Sequence, residues 1–218
     1  MSFYADKIFP LLLDNLTAGV RRQCKEIVQA AHGRVLEIGI GTGANLPFYT
    51  DQVSEVVGIE PSTALLEKAH VRLQQFKQQE VTLPPVTLQS GSAEQLDFAD
   101  ATFDTVVACL VFCTIPQAEA AAREMHRVLK PGGTVVFFEH FRAPEARLVK
   151  WQDRLNSLWN VLGCGCNLNR DTKGLFSHVG FQYQQLREYH HPALQLLKTK
   201  VCSWVMQGVA TKPVGENR

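Results

Sequence analysis

Short apolar runs alternate with longer stretches of helical periodicity along this chain. The run Thr105–Cys109 is almost continuously apolar, which is typical of a parallel strand buried on both faces. Apolar residues spaced three or four apart predict helices over 11–31 and after Ser62, a good N-cap residue. This alternation of strands and helices predicts a doubly wound α/β sheet.

The same patterns set approximate bounds for the other elements. Predicted helices include a short one between the first two strands, one that opens at Pro116 and runs to about Leu129, and one over 145–162. The segment Lys130–Gly133 is predicted to be a turn that ends the helix before it. The predicted strands are 34–38, 53–60, 86–89, 105–109, 134–139, 181–189 and 201–209.

Three alternating glycines follow the first predicted strand directly. Glu37 precedes Gly39, Gly41 and Gly43. Because glycine has no Cβ, a ligand can lie against the backbone of such a turn. The second strand ends at Glu60, whose carboxylate could accept hydrogen bonds from both hydroxyls of a ribose. Together these features predict a nucleoside-containing cofactor at the carboxyl edge of a parallel sheet.

The spacing of the glycines argues against a dinucleotide. The dinucleotide fingerprint is G-x-G-x-x-G, with the pyrophosphate on a helix N-terminus, whereas this turn reads G-x-G-x-G. Glu37 would repel a pyrophosphate; it suits a ligand with positive charge, or it braces the turn through backbone N–H groups. The acid, the glycines and the later Glu60 resemble motif I of the class I S-adenosylmethionine-dependent methyltransferases.

Three further segments resemble later motifs of this family, and they follow one another in the family's order. They are 89–94, 98–104 and 131–133. The resemblance implies a Rossmann-like sheet of seven strands, mostly parallel, in which the last strand is antiparallel. It also implies that S-adenosylmethionine binds along Glu37, Gly39, Gly41 and Gly43, with Glu60 on the ribose.

Two other turns are expected to contact the cofactor. The resemblance implies that Ala93 and Glu94 lie near the adenine. The backbone of Cys109 and Leu110, at the tip of the fourth strand, is expected to face the methionine part.

A narrower resemblance covers residues 107–140 and 165–172, which are similar to the methyltransferase-like subfamily that includes animal alkyl-thiol S-methyltransferases. It implies methyl transfer to a small apolar thiol. Two alternatives stay open: an N-methyltransferase acting on a phospholipid head group or other small amine, and a non-catalytic S-adenosylmethionine-binding module. The animal members begin with an apolar membrane anchor, and no anchor is expected here.

His140 is the candidate general base, because it follows the fifth strand at the edge where ligands collect. The alternative is a structural histidine bonded to a neighbouring loop. Glu139 is expected to fix the conformation of this edge of the sheet and not to exchange protons. Cys164 and Cys166 form a C-x-C, which is interpreted as part of a cap loop, and no metal site is expected.

Composition narrows the remaining possibilities. The chain has 22 basic and 21 acidic residues, and no basic run exceeds a pair, so no nucleic-acid partner is expected. No apolar stretch reaches the roughly 18–20 residues that span a bilayer. The N-terminus does not resemble a signal peptide, and the six cysteines do not form a spaced disulfide framework. A cytoplasmic monomer with a small-molecule acceptor is therefore expected.

We expect one domain over 1–218, in which two segments close the cofactor crevice. The first is a helical lid over about 1–31 that includes Phe3 and Tyr4, and the second is the insertion over about 143–175. Both are rich in apolar side chains, which would exclude water from the cofactor. Alternatively, the apolar N-terminus could touch a membrane surface, although such contact is not expected.

Overall fold

A computed structural model describes residues 8–194 and 200–214. Phe3 and Tyr4, which were predicted to belong to the lid, lie outside these residues. The strands are β1 Gly33–Ile38, β2 Val53–Glu60, β3 Val86–Ser90, β4 Phe103–Cys109, β5 Leu129–His140, β6 Gln182–His190 and β7 Trp204–Thr211. The α-helices are α1 Phe9–Thr17, α2 Arg21–Val28, α3 Thr63–Gln78, α4 Ala118–Val128, α5 Ala146–Leu162 and α6 Thr172–His178.

The strands form one seven-stranded sheet in the order β3-β2-β1-β4-β5-β7-β6. Strand β7 is antiparallel to both β5 and β6, and the pairs from β3 to β5 are parallel. The predicted doubly wound sheet with one antiparallel strand is confirmed. Because β1 lies between β2 and β4, the chain leaves β1 and β4 toward opposite sides. A crevice opens there at the carboxyl edge of the sheet.

Alternating side chains of the central strands build an apolar core on each face of the sheet. Val106 and Phe137 lie in one core with side chains of α4 and α6. Their chain neighbours Val107 and Phe138 lie in the other core with side chains of α2 and α3. This burial on both faces is what the continuous apolar runs predicted. It fixes the register of the strands, and therefore where each strand tip lies.

Three predicted local structures are only partly correct. The helix over 11–31 is divided by a 3-10 turn at Ala18–Val20, where Gly19 disfavours α-helix and the Thr17 hydroxyl donates to the carbonyl of Leu13 at 2.8 Å. The predicted short helix between β1 and β2 is only a 3-10 turn, Leu46–Phe48.

The third difference concerns the start of β5. Lys130–Gly133 was predicted to be a turn, but β5 begins at Leu129. Leu129 pairs with Phe103, and the backbone of Gly132 donates to the carbonyl of Lys212 at 2.9 Å. The glycine pair is thus an irregularity inside the strand: it bonds to Lys212 on one side, whereas pairing with β4 is interrupted after Leu129 and resumes at Thr134 opposite Thr105.

Among the described residues, no helix has the length and apolarity that a membrane crossing requires. The division of the chain into one domain with a lid and an insertion stays a prediction.

Gly208 in β7 provides a test of the packing of the antiparallel edge. A Cβ at this position would lie 1.9 Å from the backbone oxygen of Gln185, where the β6–β7 register shifts. Gly208→Ala should therefore lower the free energy of unfolding by at least about 1–3 kcal/mol, measured by chemical denaturation. Gly91→Ala is the control, because its Cβ would meet nothing closer than 3.7 Å. Equal stabilities of the two variants would contradict this packing.

Candidate active site

The glycine turn after β1 depends on left-handed backbone at alternate positions. Gly39, Gly41 and Gly43 have φ values of 65°, 58° and 74°, which side chains with a Cβ rarely adopt. A Cβ on Gly39 would lie 2.4 Å from Val111 Cγ2, so this position also needs glycine for packing. A Cβ on Gly41 would lie 3.7 Å from Leu13 Cδ2, an ordinary van der Waals contact, so it is the left-handed backbone that favours glycine at this position.

Glu37, which precedes this turn, is hydrogen-bonded to residues that follow it. Its buried carboxyl accepts hydrogen bonds from Asn45 Nδ2 and from the Tyr49 hydroxyl, both at 2.7 Å. Burial raises the pKa of Glu37 to about 7, although both hydrogen bonds oppose the shift. A brace through backbone N–H groups was one of the two roles predicted for Glu37, but the two donors are side chains. Neither Asn45 nor Tyr49 was identified from the sequence, since neither belongs to a recognisable spacing.

Glu60, at the tip of β2, holds the same turn from the neighbouring strand. Its Oε2 accepts from the N–H of Gly41 at 3.1 Å, and its Oε1 accepts from the N–H of Ser62 at 3.0 Å. Burial raises its pKa, opposed by these two backbone bonds. Each oxygen has a second lone pair, so the carboxylate can still accept from two hydroxyls.

The turn after β3 is fixed by a local network around Glu94. Its Oε1 accepts from the N–H of Gln117 at 2.6 Å, and its N–H donates to the Ser92 hydroxyl at 3.2 Å. Ala93 is buried beside it. Glu94 therefore ties this turn to the start of α4, at the same edge of the sheet as the glycine turn.

The tip of β4 carries Cys109 and Leu110. Leu110 has a φ of 53°, and its N–H donates to the carbonyl of Phe138 at 2.8 Å. The thiol of Cys109 lies beside that of Cys24, and this contact together with burial holds its pKa well above the usual range. Cys109 is thus an un-ionised packing group. Strand β4 ends at this residue.

Glu139 organises the turn that follows this tip. Its Oε1 accepts from the N–H groups of Val111 and Phe112 at 3.0 and 3.1 Å. The side chain is fully buried, and burial raises its pKa to about 8 against those hydrogen bonds. At neutral pH this carboxyl is therefore mainly protonated.

Helix α1 lies against the glycine turn and α3. Asp14 accepts a hydrogen bond of 2.6 Å from the Thr42 hydroxyl and pairs with Arg72 of α3. Burial favours the neutral acid, but the bonds from Arg72 and Thr42 outweigh it and hold the pKa of Asp14 below its usual value. This triad was not predicted from the sequence, since its members lie far apart in the chain. A cavity of about 480 Å³ lies between the two helices, but none of the predicted cofactor residues lines it.

The geometry agrees with comparisons to known proteins. A family model described as a methyltransferase domain matches residues 36–137. The phosphatidylethanolamine N-methyltransferase of Cereibacter sphaeroides is 37% identical over 72% of this chain and 74% of its own length. The chain belongs to the methyltransferase family.

Two further proteins are similar to this methyltransferase. The thiol S-methyltransferase TMT1B of Rattus norvegicus is 32% identical over 69% of the chain, and the match spans 62% of the rat protein. The crystal structure of the YcgJ protein from Bacillus subtilis has a TM-score of 0.69 at 20% identity, covering 91% of this chain and 99% of that one. That structure supports the fold.

The cofactor of this methyltransferase is S-adenosylmethionine. The site fits it in one respect, because the Glu60 carboxylate has lone pairs left for hydroxyl groups. Which residues contact the cofactor stays a prediction.

His140 is enclosed at the end of β5. It is 5% exposed, and neither ring nitrogen has a hydrogen-bond partner of good geometry among the described residues. Burial lowers its pKa to about 4, although backbone groups of Cys202 and Asn167 oppose the shift. His140 is thus a neutral imidazole at pH 7. Its role as a base stays a prediction, and the expected alternative of a histidine bonded to a loop lacks a well-formed hydrogen bond.

The two cysteines of the C-x-C lie in the loop after α5. Cys166 is close to the buried thiol of Cys113, and the contact lowers the pKa of Cys166 while raising that of Cys113. In residues 8–194 and 200–214, no cluster of three or more His, Cys, Asp or Glu side chains could hold a metal ion.

Glu60→Gln tests the ribose contact. The amide keeps the size of the side chain but replaces one acceptor oxygen with a donor. Affinity for S-adenosylhomocysteine should fall at least about tenfold by calorimetry, because hydrogen bonds to a charged group are worth roughly 1.5–3 kcal/mol each. Glu55→Gln in the same strand is the control, since Glu55 pairs with Arg34 away from the crevice. If Glu60→Gln binds S-adenosylhomocysteine with unchanged affinity, Glu60 does not bind the ribose.

His140 should titrate far below an ordinary histidine. Because its folded pKa is about 4, against about 6.5 for a free side chain, the ring should stay neutral at pH 5. Its ring resonances, assigned by their loss in His140→Gln, should shift with a midpoint near pH 4 in an NMR titration. A midpoint at or above 6.5 would show that the ring is solvated and would contradict its burial.

Proposed function

We propose that this methyltransferase transfers the methyl group of S-adenosylmethionine to a small apolar thiol. The supporting observation is the state of the two buried carboxyls, Glu37 and Glu139. Each already accepts hydrogen bonds inside the protein, and each has a raised pKa of about 7 or 8. Neither side chain offers a full negative charge to an ammonium group, and a thiol acceptor needs none.

The chemistry of a thiol also suits this edge of the sheet. A thiol with a pKa near 8.5 is a few per cent ionised at neutral pH and is intrinsically nucleophilic. When bound, S-adenosylmethionine supplies a methyl group already activated on a positively charged sulfur. The acceptor sulfur would give an electron pair to the methyl carbon as the old carbon–sulfur bond breaks, and the thiol proton would pass to a basic group of the protein and from there to solvent.

The chain's residues would orient this transfer. In this proposal Glu60 binds the ribose, the turn from Gly39 to Gly43 lies along the methionine part, and Glu94 with Ala93 lies near the adenine. The backbone at Cys109 and Leu110 completes the methionine site. Holding the two reacting atoms roughly 3–3.5 Å apart then supplies most of the rate enhancement.

His140 is the candidate proton acceptor in this scheme. Its ring is neutral at pH 7 and therefore has a free lone pair. Its low pKa makes it a weak base, so its contribution would be modest for a thiol and insufficient for an ammonium group.

An aminophospholipid is the second candidate acceptor. It is favoured by the 37% identity to the phosphatidylethanolamine N-methyltransferase over most of both chains. A non-catalytic S-adenosylmethionine-binding protein is the third reading. We further propose a cytoplasmic location.

One assay separates the three readings. With tritiated S-adenosylmethionine, label should pass to a panel of alkyl and aryl thiols, and more slowly or not at all to phosphatidylethanolamine vesicles. Glu60→Gln should lower the transfer, which ties it to this site. Label in lipid alone would refute the thiol proposal, and binding without transfer to any acceptor would support the non-catalytic reading.

A further inference from the structure

Helix α5 has its polar side chains turned toward the protein. Gln152 is fully buried, accepting from the N–H of Ala143 at 2.9 Å and donating to the carbonyl of Val201 at 3.1 Å. Asn156 accepts from the N–H of Leu168 at 2.8 Å, and Asn160 donates to the carbonyl of Gly165 at 2.9 Å. These specific bonds fix the helix rotation, because turning it would leave buried polar groups unpaired.

The opposite face of α5 exposes large apolar side chains. Trp151, Leu155, Leu158 and Val161 are 46, 38, 63 and 70% exposed. Their spacing of three to four residues places them in one stripe along the helix. An ordinary surface helix buries its apolar stripe, so the polarity of α5 is the reverse of the usual arrangement.

Three cations border this stripe. Arg147, Lys150 and Arg154 follow one another at three- and four-residue spacing, and none has an ion-pair partner among the described residues. The Arg154 guanidinium lies 5.9 Å from the centre of the Trp151 ring. The one acid of α5, Asp153, is already paired with Arg142 at 3.1 Å. The outward face is therefore apolar with a positive border.

The stripe lies at the same edge of the sheet as the cofactor crevice. Asn160 and Asn156 of α5 contact Asn167, which donates to the carbonyl of Cys113 just beyond β4. Helix α1, at this same edge beside the glycine turn, also exposes Leu11 at 64%.

We infer that the outward face of α5 binds the surface of an anionic membrane, with its apolar stripe at the boundary between head groups and acyl chains. Apolar area supplies affinity for that boundary, and the cationic border is complementary to anionic head groups. A second copy of this chain fits less well, because a two-fold contact would enclose two sets of the same three cations. The inference goes beyond the proposed function, since it concerns where the enzyme binds and not which acceptor it methylates.

The test is vesicle flotation of the full chain without S-adenosylmethionine or acceptor. The protein should float with vesicles of phosphatidylcholine mixed with phosphatidylglycerol, and much less with phosphatidylcholine alone. The double variant Leu158→Glu/Val161→Glu should reduce partitioning at least about tenfold. Replacing Arg147, Lys150 and Arg154 by Gln should remove the preference for anionic vesicles, by about tenfold or more.

Val71→Glu is the matched control, because Val71 is also an exposed helical valine, at 55%, but lies on α3. It should float like the wild type. Unchanged circular dichroism and S-adenosylhomocysteine affinity would show that each variant is folded. A wild-type protein that does not float, or α5 variants that float as it does, would overturn the inference. So would self-association that the α5 variants abolish while flotation stays absent. Failure of thiol methylation would leave these outcomes unchanged, so the two proposals are tested separately.

Discussion

The turn after β1 is held by two buried carboxyl groups that come from neighbouring strands. Glu37 holds the far end of the turn through Asn45 and Tyr49, and Glu60 holds its middle through the N–H of Gly41. This arrangement is possible because β1 and β2 are parallel and end at the same edge. The turn therefore has its shape before a ligand binds, which lowers the conformational entropy lost on binding.

Helices α1 and α5, which belong to the two segments predicted to close the crevice, are attached to the rest of the protein in different ways. Helix α1 is fixed by the charged pair of Asp14 and Arg72 and by the Thr42 hydroxyl. Helix α5 is fixed by the amide side chains of its inward face and by the pair of Asp153 with Arg142, and its apolar stripe lies outward. Both attachments use polar bonds of defined geometry, so each helix has a defined orientation. An acceptor that is apolar or membrane-resident would meet apolar surface at this edge.

Sequence patterns predicted the sheet because its determinants are local. Continuous apolar runs marked strands that are buried on both faces, and Ser62 marked the start of α3, where its hydroxyl accepts from the N–H of Leu65. The glycines and Glu60 were found because a turn without Cβ atoms leaves a recognisable spacing. Partners set by the tertiary fold were not found, among them Tyr49 for Glu37 and Arg72 for Asp14. The start of β5 was missed because ladder bonds to Lys212 override the local preference of two glycines for a turn.

We propose that the pre-formed turn and Glu60 together define the cofactor site. A crystal structure with S-adenosylhomocysteine tests it most directly. Both ribose hydroxyls should lie within hydrogen-bonding distance of the Glu60 carboxylate, and the homocysteine part should pass along the turn at Gly41. Electron density for the ligand in the cavity between α1 and α3, or a ribose that makes no contact with Glu60, would contradict it.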